Sequence, residues 1–201
     1  MGIERVETPP SANHRAAVPE SSSDTDAEPP SRASCGLPSL RHESSLCPID
    51  WQDRRPPGGE AASIAVDLAW LRVRGEAVAA ELPRPLGRVS IALIDDAEMD
   101  RLHRNHCGIA GTTDVLTYPD EASEAGELCG DLAISVEVAA READARRRRL
   151  EVEILLYAVH GLLHLAGERD DTAEAAAAMR AAQDRVMRAL GLPGTDEESV
   201  A

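Results

Sequence analysis

"LEVEILLYAVHGLLHLAGERDD", residues 150–171, decides the fold. Ile154, Leu155, Leu156, Val159, Leu162, Leu163 and Leu165 leave almost no polar face on a helix. Such a helix packs on all sides, at the centre of a domain. Yet His160 and His164 stand in the same run. Burying an imidazole costs free energy unless it finds a partner. At 3.6 residues per turn the two rings share a face one turn apart and can converge on one point. Helical zinc sites of the H-x-x-x-H kind are built this way. Two core histidines, each bonded to a carbonyl, are the plainer account, and the residues that follow decide against it. Gly167 suits a left-handed residue that ends the helix and turns the chain back on its last turn. Three residues on, a carboxylate can complete a three-donor site with a fourth position left for water. Asp171-Thr172-Ala173-Glu174 has the form of a capping box, which gives Asp171 a structural task and leaves Asp170 as the third ligand. Glu168 and Arg169 read as loop surface. In zinc proteases built on this helix, a glutamate follows the first histidine as general base. Here that position is Gly161, so a metalloprotease-like zinc hydrolase becomes the second choice.

Working outward, "VDLAWLRVRGEAVAAEL" (66–82) has helical spacing and stops at Pro83. "RVSIALID" (88–95) is a β-branched run that reads as a buried strand, after which Asp95 or Asp96 caps a helix through "AEMDRLHRNH". "TDVLTYP" (113–119) and "GDLAISV" (130–136) read as two further strands, followed by a short helix, "EVAAREADARRRR". After the histidine helix, Ala175, Met179, Ala182, Val186 and Leu190 form the stripe of a last helix, stopped by Gly191 and Pro193. An earlier edge strand falls within 44–66, in either "SSLCPIDWQ" or "ASIAVD". The sum is an α+β domain: a small mixed sheet with helices packed against it and a central buried helix carrying the two histidines.

Composition divides the chain. Residues 1–60 are rich in Pro and Ser without a hydrophobic period, and are expected to be a disordered extension. Residues 61–193 suit one domain with a core, and 194–201 suit a flexible tail. The domain has 23 acids against 15 arginines, so its surface as a whole is no generic phosphate-binding one. Cys35, Cys47, Cys107 and Cys129 are widely spaced, as reduced cytosolic thiols are. No signal peptide or membrane-length apolar run occurs, so a cytoplasmic location is expected.

Three ordered blocks resemble the YbeY-type rRNA maturation factors of bacteria: "TTDVLTYP" (112–119), "GDLAISVEVAAREA" (130–143) and "HGLLHLAGERDD" (160–171). With "VSIALIDDAEMDRLHR" ahead of them, the resemblance runs from about 66 to 191 and leaves the first 60 residues without counterpart. It implies a zinc-dependent endoribonuclease that cuts single-stranded RNA, matures the 3′ end of 16S rRNA and assists ribosome biogenesis and quality control. Its partners would be rRNA and ribosomal particles, with no DNA and no membrane. The resemblance places metal ligands at His160, His164 and Asp170, with zinc the expected ion at one per chain.

Asp170 departs from the family's third histidine. An anionic ligand lowers the ion's net charge and weakens it as a Lewis acid, and makes manganese or iron somewhat more fitting. The family's arginine ahead of the first block falls on Cys107, leaving Arg104 or His106 to contact phosphate. Thr113 and Asp114 suit substrate contact and strand-start hydrogen bonding equally well. "ARRRRL" (145–150) reads as a phosphate-binding cluster or as a solvated turn. Glu153 shares the histidine face, as support for a ligand ring or as a surface or capping residue. A non-catalytic ribosome assembly factor is the remaining alternative.

Overall fold

Alternation along the strands sets which helices cover each face of the sheet. The computed structural model describes residues 49–120 and 126–197. The elements run β1 (Ile49–Asp53), α1 (Glu60–Ser63), α2 (Leu68–Glu81), β2 (Leu86–Ile94), α3 (Asp96–Cys107), β3 (Val115–Pro119), β4 (Leu128–Ser135), α4 (Val136–Ala145), α5 (Leu150–Leu165) and α6 (Ala173–Ala189). The strand order is β1-β2-β4-β3, with β1–β2 and β2–β4 parallel and β3–β4 antiparallel. This is the mixed-sheet α+β architecture that the sequence predicts.

Odd and even residues of each strand separate into two cores. Ile49, Trp51, Val89, Ile91, Leu93, Leu132 and Ile134 face the larger core, built with α2, α5 and α6. Ala92, Ile94, Leu116 and Ala133 point to the other face and meet Met99 and Leu102 of α3. Helix α5 touches β3, β4, α2, α4 and α6, which is why its residues are apolar almost all round.

The first strand lies in "SSLCPIDWQ", the earlier of the two candidate segments. Ile49 and Trp51 are buried and alternate with Asp50, which is exposed. The sheet therefore begins ahead of the boundary expected at residue 60. Residues 1–48, where the rest of the expected extension falls, lie outside the described residues. At the other end, the start of the expected tail is tied down. Thr195 donates from its backbone N–H and its hydroxyl to Asp184 Oδ1 at 2.8 and 2.5 Å, and Glu197 pairs with Arg188 at 2.6 Å.

Helix ends follow local chemistry. Asp95, not Asp96, caps α3 by accepting from Glu98 N–H at 2.8 Å. Asp96 instead accepts from the Ser135 hydroxyl at 2.6 Å and from Arg141 at 2.7 Å, which ties α3 to the start of α4. The last helix is capped by Thr172, whose Oγ1 accepts from Ala175 N–H at 3.1 Å. The cap expected at Asp171 is thus one residue out, and the Asp171 carboxylate is engaged by Arg169 instead. At the end of α5, Gly167 has φ +98°, Glu168 N–H reaches Leu163 O at 3.0 Å and Gly167 N–H reaches His164 O at 3.0 Å. That is the Schellman arrangement, and it returns the chain toward the histidines as expected.

Gly161 shows how closely α5 lies on the sheet. A Cβ there would stand 2.5 Å from Leu132 Cδ2 and 3.1 Å from Thr117 Oγ1. Leu132 is fully buried and has no room to yield. Gly161→Ala is therefore expected to cost about 1–3 kcal/mol as an overpacked core, measured as a fall in the urea midpoint. An unchanged midpoint would mean that the helix can lift off the strand at no cost.

Candidate metal centre

Helix α5 brings His160 and His164 to one face, and the turn after it carries Asp170 back over them. The two Nε2 atoms are 3.0 Å apart, and Asp170 Oδ2 lies 3.6 Å from each. Exposure of the side chains rises from 19% at His160 through 29% at His164 to 46% at Asp170, so the cluster is walled by the core on one side and open on the other. The rings meet edge to face, with centroids 4.4 Å apart.

The donors fit a small divalent cation. Zinc bonds of about 2.0–2.1 Å at tetrahedral angles put neighbouring donor atoms about 3.3–3.4 Å apart. The separations of 3.0 and 3.6 Å bracket that value. His164 Nδ1 is 3.0 Å from the Glu168 carbonyl, which can only accept. The proton therefore sits on Nδ1, and the Nε2 lone pair points into the cluster. A lone pair 3.0 Å from a second ring nitrogen is favourable only with a proton or a cation between them. The carboxylate oxygen near both rings adds a third donor for such a cation. Glu168, expected as loop surface, is exposed in its side chain but contributes this backbone contact.

Burial, and next the neighbouring His164, lower the pKa of His160, while Asp114 and Asp170 oppose the shift. The ring is accordingly neutral near pH 7, as a ligand must be. Gln183 of α6, 6% exposed, is a further group that opposes the lowered pKa of His160. Sequence reading missed it. The only trace it leaves there is an amide set in an otherwise apolar stripe.

Thr113 and Asp114 lie just ahead of β3. Asp114 Oδ1 accepts from Val115 N–H at 2.8 Å and from the Thr113 hydroxyl at 3.0 Å, so strand-start hydrogen bonding is present. The Asp114 charge also acts on His160 and on Tyr157. Arg104 is elsewhere. It sits on α3, which covers the opposite face of the sheet from α5, and pairs with Asp100 at 2.9 Å. His106 stacks on Tyr118 at 4.6 Å, and Cys107 is exposed with a free thiol.

The arginine cluster divides: Arg147 and Arg149 are exposed, while Arg146 and Arg148 turn toward Glu153. Arg148 and Glu153 are both fully buried in their side chains and 3.3 Å apart, and Arg146 donates to Glu153 at 2.6 Å. Arg148 also donates to the carbonyls of Gly194, Thr195 and Glu197 at 3.2, 3.1 and 2.7 Å. Arg149 lies over the Trp70 ring at 5.2 Å. Burial pushes the Glu153 carboxyl up, against the pull of the two guanidiniums. Glu153 is thus an internal counter-ion, not a surface residue.

The position expected to hold a base in a zinc protease is closed. Any side chain at Gly161 meets Leu132 before it reaches the cluster. What the fold and cluster define is a mixed-sheet α+β domain with an open His-His-Asp site at the end of its central helix. The family model described as Endoribonuclease YbeY matches residues 68–191, and the chain belongs to that family. It is 37% identical to the Endoribonuclease YbeY of Moorella thermoacetica over 73% of this chain and 97% of that protein. Its identity to the protein of the same name from Anaeromyxobacter sp. is 38%, over 62% of this chain and 65% of that protein. For Bradyrhizobium diazoefficiens the identity is 32%, over 78% and 85%. Among the described residues no helix is long and apolar enough to cross a membrane.

Proposed function

We propose that this chain is an endoribonuclease that acts on single-stranded RNA in rRNA processing, at the 16S 3′ end, and in ribosome biogenesis and quality control. It would work in the cytoplasm on rRNA and ribosomal particles. The observation that carries this reading is the three-donor cluster, with Asp170 Oδ2 3.6 Å from both histidine nitrogens, in a chain of the YbeY family. His160, His164 and Asp170 would hold one divalent cation per chain, with zinc first and manganese or iron behind it. A bound ion would supply Lewis-acid activation of water and polarisation of a phosphoryl oxygen.

The chain's own residues do the rest. His160 and His164 would present their Nε2 atoms to such an ion, and Asp170 would offset part of its charge from the solvent side. Their unequal exposure leaves access from one direction, from which an RNA strand would approach. Asp114 acts on His160 in the direction that favours positive charge at the cluster. Thr113 and Asp114 are the residues of β3's approach proposed to meet substrate, and Arg104 is proposed as a phosphate contact reached only by RNA that passes the α3 face. With its base position filled by Gly161 against Leu132, the domain has no protease mechanism of the helix-glutamate type.

The test uses the purified full-length protein and a labelled single-stranded RNA covering the 3′ end of precursor 16S rRNA. Cleavage is expected as isolated, lost after chelator treatment and dialysis, and restored by about one equivalent of zinc. Cleavage that persists without metal would remove the proposed mechanism. Particle binding with no cleavage under any metal would mark an assembly factor instead.

A further inference from the structure

Four helices of this chain end in a left-handed residue, and three of them use glycine there. Gly108 closes α3 at φ +71°, Gly167 closes α5 at φ +98° and Gly191 closes α6 at φ +70°. Helix α4 ends instead on Arg147, at φ +51°, the one non-glycine residue with positive φ among the described residues. Its turn has the same Schellman pattern: Arg147 N–H reaches Asp144 O at 3.2 Å, and Arg148 N–H reaches Ala143 O at 2.9 Å. A side chain costs free energy in that conformation, and glycine avoids the cost. Backbone conformation thus argues for glycine at 147, and the reason for an arginine lies in its side chain, which is exposed. Two residues on, the Arg149 side chain is 57% exposed and lies over the Trp70 ring at 5.2 Å, where Arg74 also lies at 5.4 Å. Arg149 pairs with Glu151 at 3.3 Å, but that carboxylate is shared, its other oxygen accepting from Asp67 N–H at 3.1 Å.

We propose that Arg147 and Arg149, the latter seated on Trp70, form a second contact for single-stranded RNA that binds its phosphates apart from the metal cluster. This rests on the reading of the chain as an RNA-cutting enzyme. The ligand chemistry is a phosphodiester backbone, for whose oxygens a guanidinium offers forked donors. The indole attracts the guanidinium of Arg149, so that less freedom is lost when a phosphate arrives. In a chain of net charge −15, attraction for phosphate has to come from such a local group. Arg149 is the N-cap of α5, and His160 lies eleven residues on, a rise of about 16 Å. At about 3.4 Å per stacked nucleotide, a strand of roughly five nucleotides spans that rise.

The test sets stability against affinity. Arg147→Gly relieves the backbone at the end of α4 and removes the guanidinium. Its urea midpoint is expected to hold or rise, because relief of the left-handed strain offsets glycine's greater freedom in the unfolded chain. Arg149→Gln removes the second charge, and Arg180→Gln removes one from an exposed position on α6. Binding is measured by fluorescence anisotropy on the full-length proteins as purified, across a range of salt. The probe is a single-stranded RNA whose phosphorothioate linkages keep its charge and resist cutting. Arg147→Gly and Arg149→Gln are each expected to weaken binding about five-fold at about 0.1 M salt, and to flatten the slope of log K against log salt concentration by about 0.7. Arg180→Gln should change neither. Wild-type affinity and slope in the first two variants would overturn the second contact and leave the enzyme reading standing. An equal loss in Arg180→Gln would also overturn it, since net charge alone would then account for the attraction. So would losses in both variants that come only with lowered midpoints. If wild type binds no RNA, the enzyme reading falls and this proposal falls with it.

Discussion

The His164→Ala protein is expected to be folded and nearly inert, with its tightly bound metal lost. Removing a residue that merely orients a ligand commonly lowers affinity about 10–100-fold. Removing a ligand itself should cost more, leaving well under one equivalent of zinc after gel filtration. Lewis-acid stabilisation amounts to several kcal/mol, and each 1.4 kcal/mol is a factor of ten in rate. RNA cleavage should accordingly fall by about a thousand-fold or more. The fold should survive, because the His164 side chain is 29% exposed and its loss opens no sealed cavity. Circular dichroism and the unfolding midpoint of the metal-free variant check that point against metal-free wild type. Full cleavage by a well-folded His164→Ala protein would remove the cluster from the chemistry altogether.

Glu153→Ala should be the most damaging change to stability away from the cluster. The carboxylate is the internal counter-ion of Arg148 at 3.3 Å and of Arg146 at 2.6 Å, and both Glu153 and Arg148 are sealed from water. Deleting one partner of a buried pair costs about 3–5 kcal/mol, because the charge left behind is uncompensated. Against a typical total stability of about 5–15 kcal/mol, that is a large share. The urea midpoint should drop accordingly. The segment 194–197, whose carbonyls Arg148 holds, should become the first site of limited proteolysis. Replacing both partners, as in Glu153→Leu with Arg148→Met, should recover much of the loss, since an apolar pair leaves no stranded charge. If Glu153→Ala alone unfolds at the wild-type midpoint, water reaches this pair in solution.

These two variants fail for different reasons. In the first, a half-open cluster loses a donor while the surrounding core stays intact. In the second, the core loses the counter-ion that lets Arg148 sit inside it. Comparing metal content with midpoint in both proteins separates the chemistry from the scaffold.

What the sequence by itself determined was local. The i, i+4 histidines, the glycine that ends α5 in a left-handed conformation and the apolar girth of that helix all follow from rules that act over a turn or two of chain. So do the strands around 88–95, 113–119 and 130–136, whose limits in the fold differ by only a few residues. Three features needed the folded chain, because each depends on contacts between residues far apart in sequence. Ile49–Asp53 becomes a strand because β2 offers it a parallel edge and Gly75 leaves room for Trp51, whose Nε1 lies 2.9 Å from where a Cβ would stand. Arg146 and Arg148 look like part of a surface strip until Glu153 pairs with both and the carbonyls of 194–197 close on Arg148. Gln183 comes to act on His160 only because α6 packs back on α5. Periodicity records which face of an element is buried, but not which distant residue it is buried against.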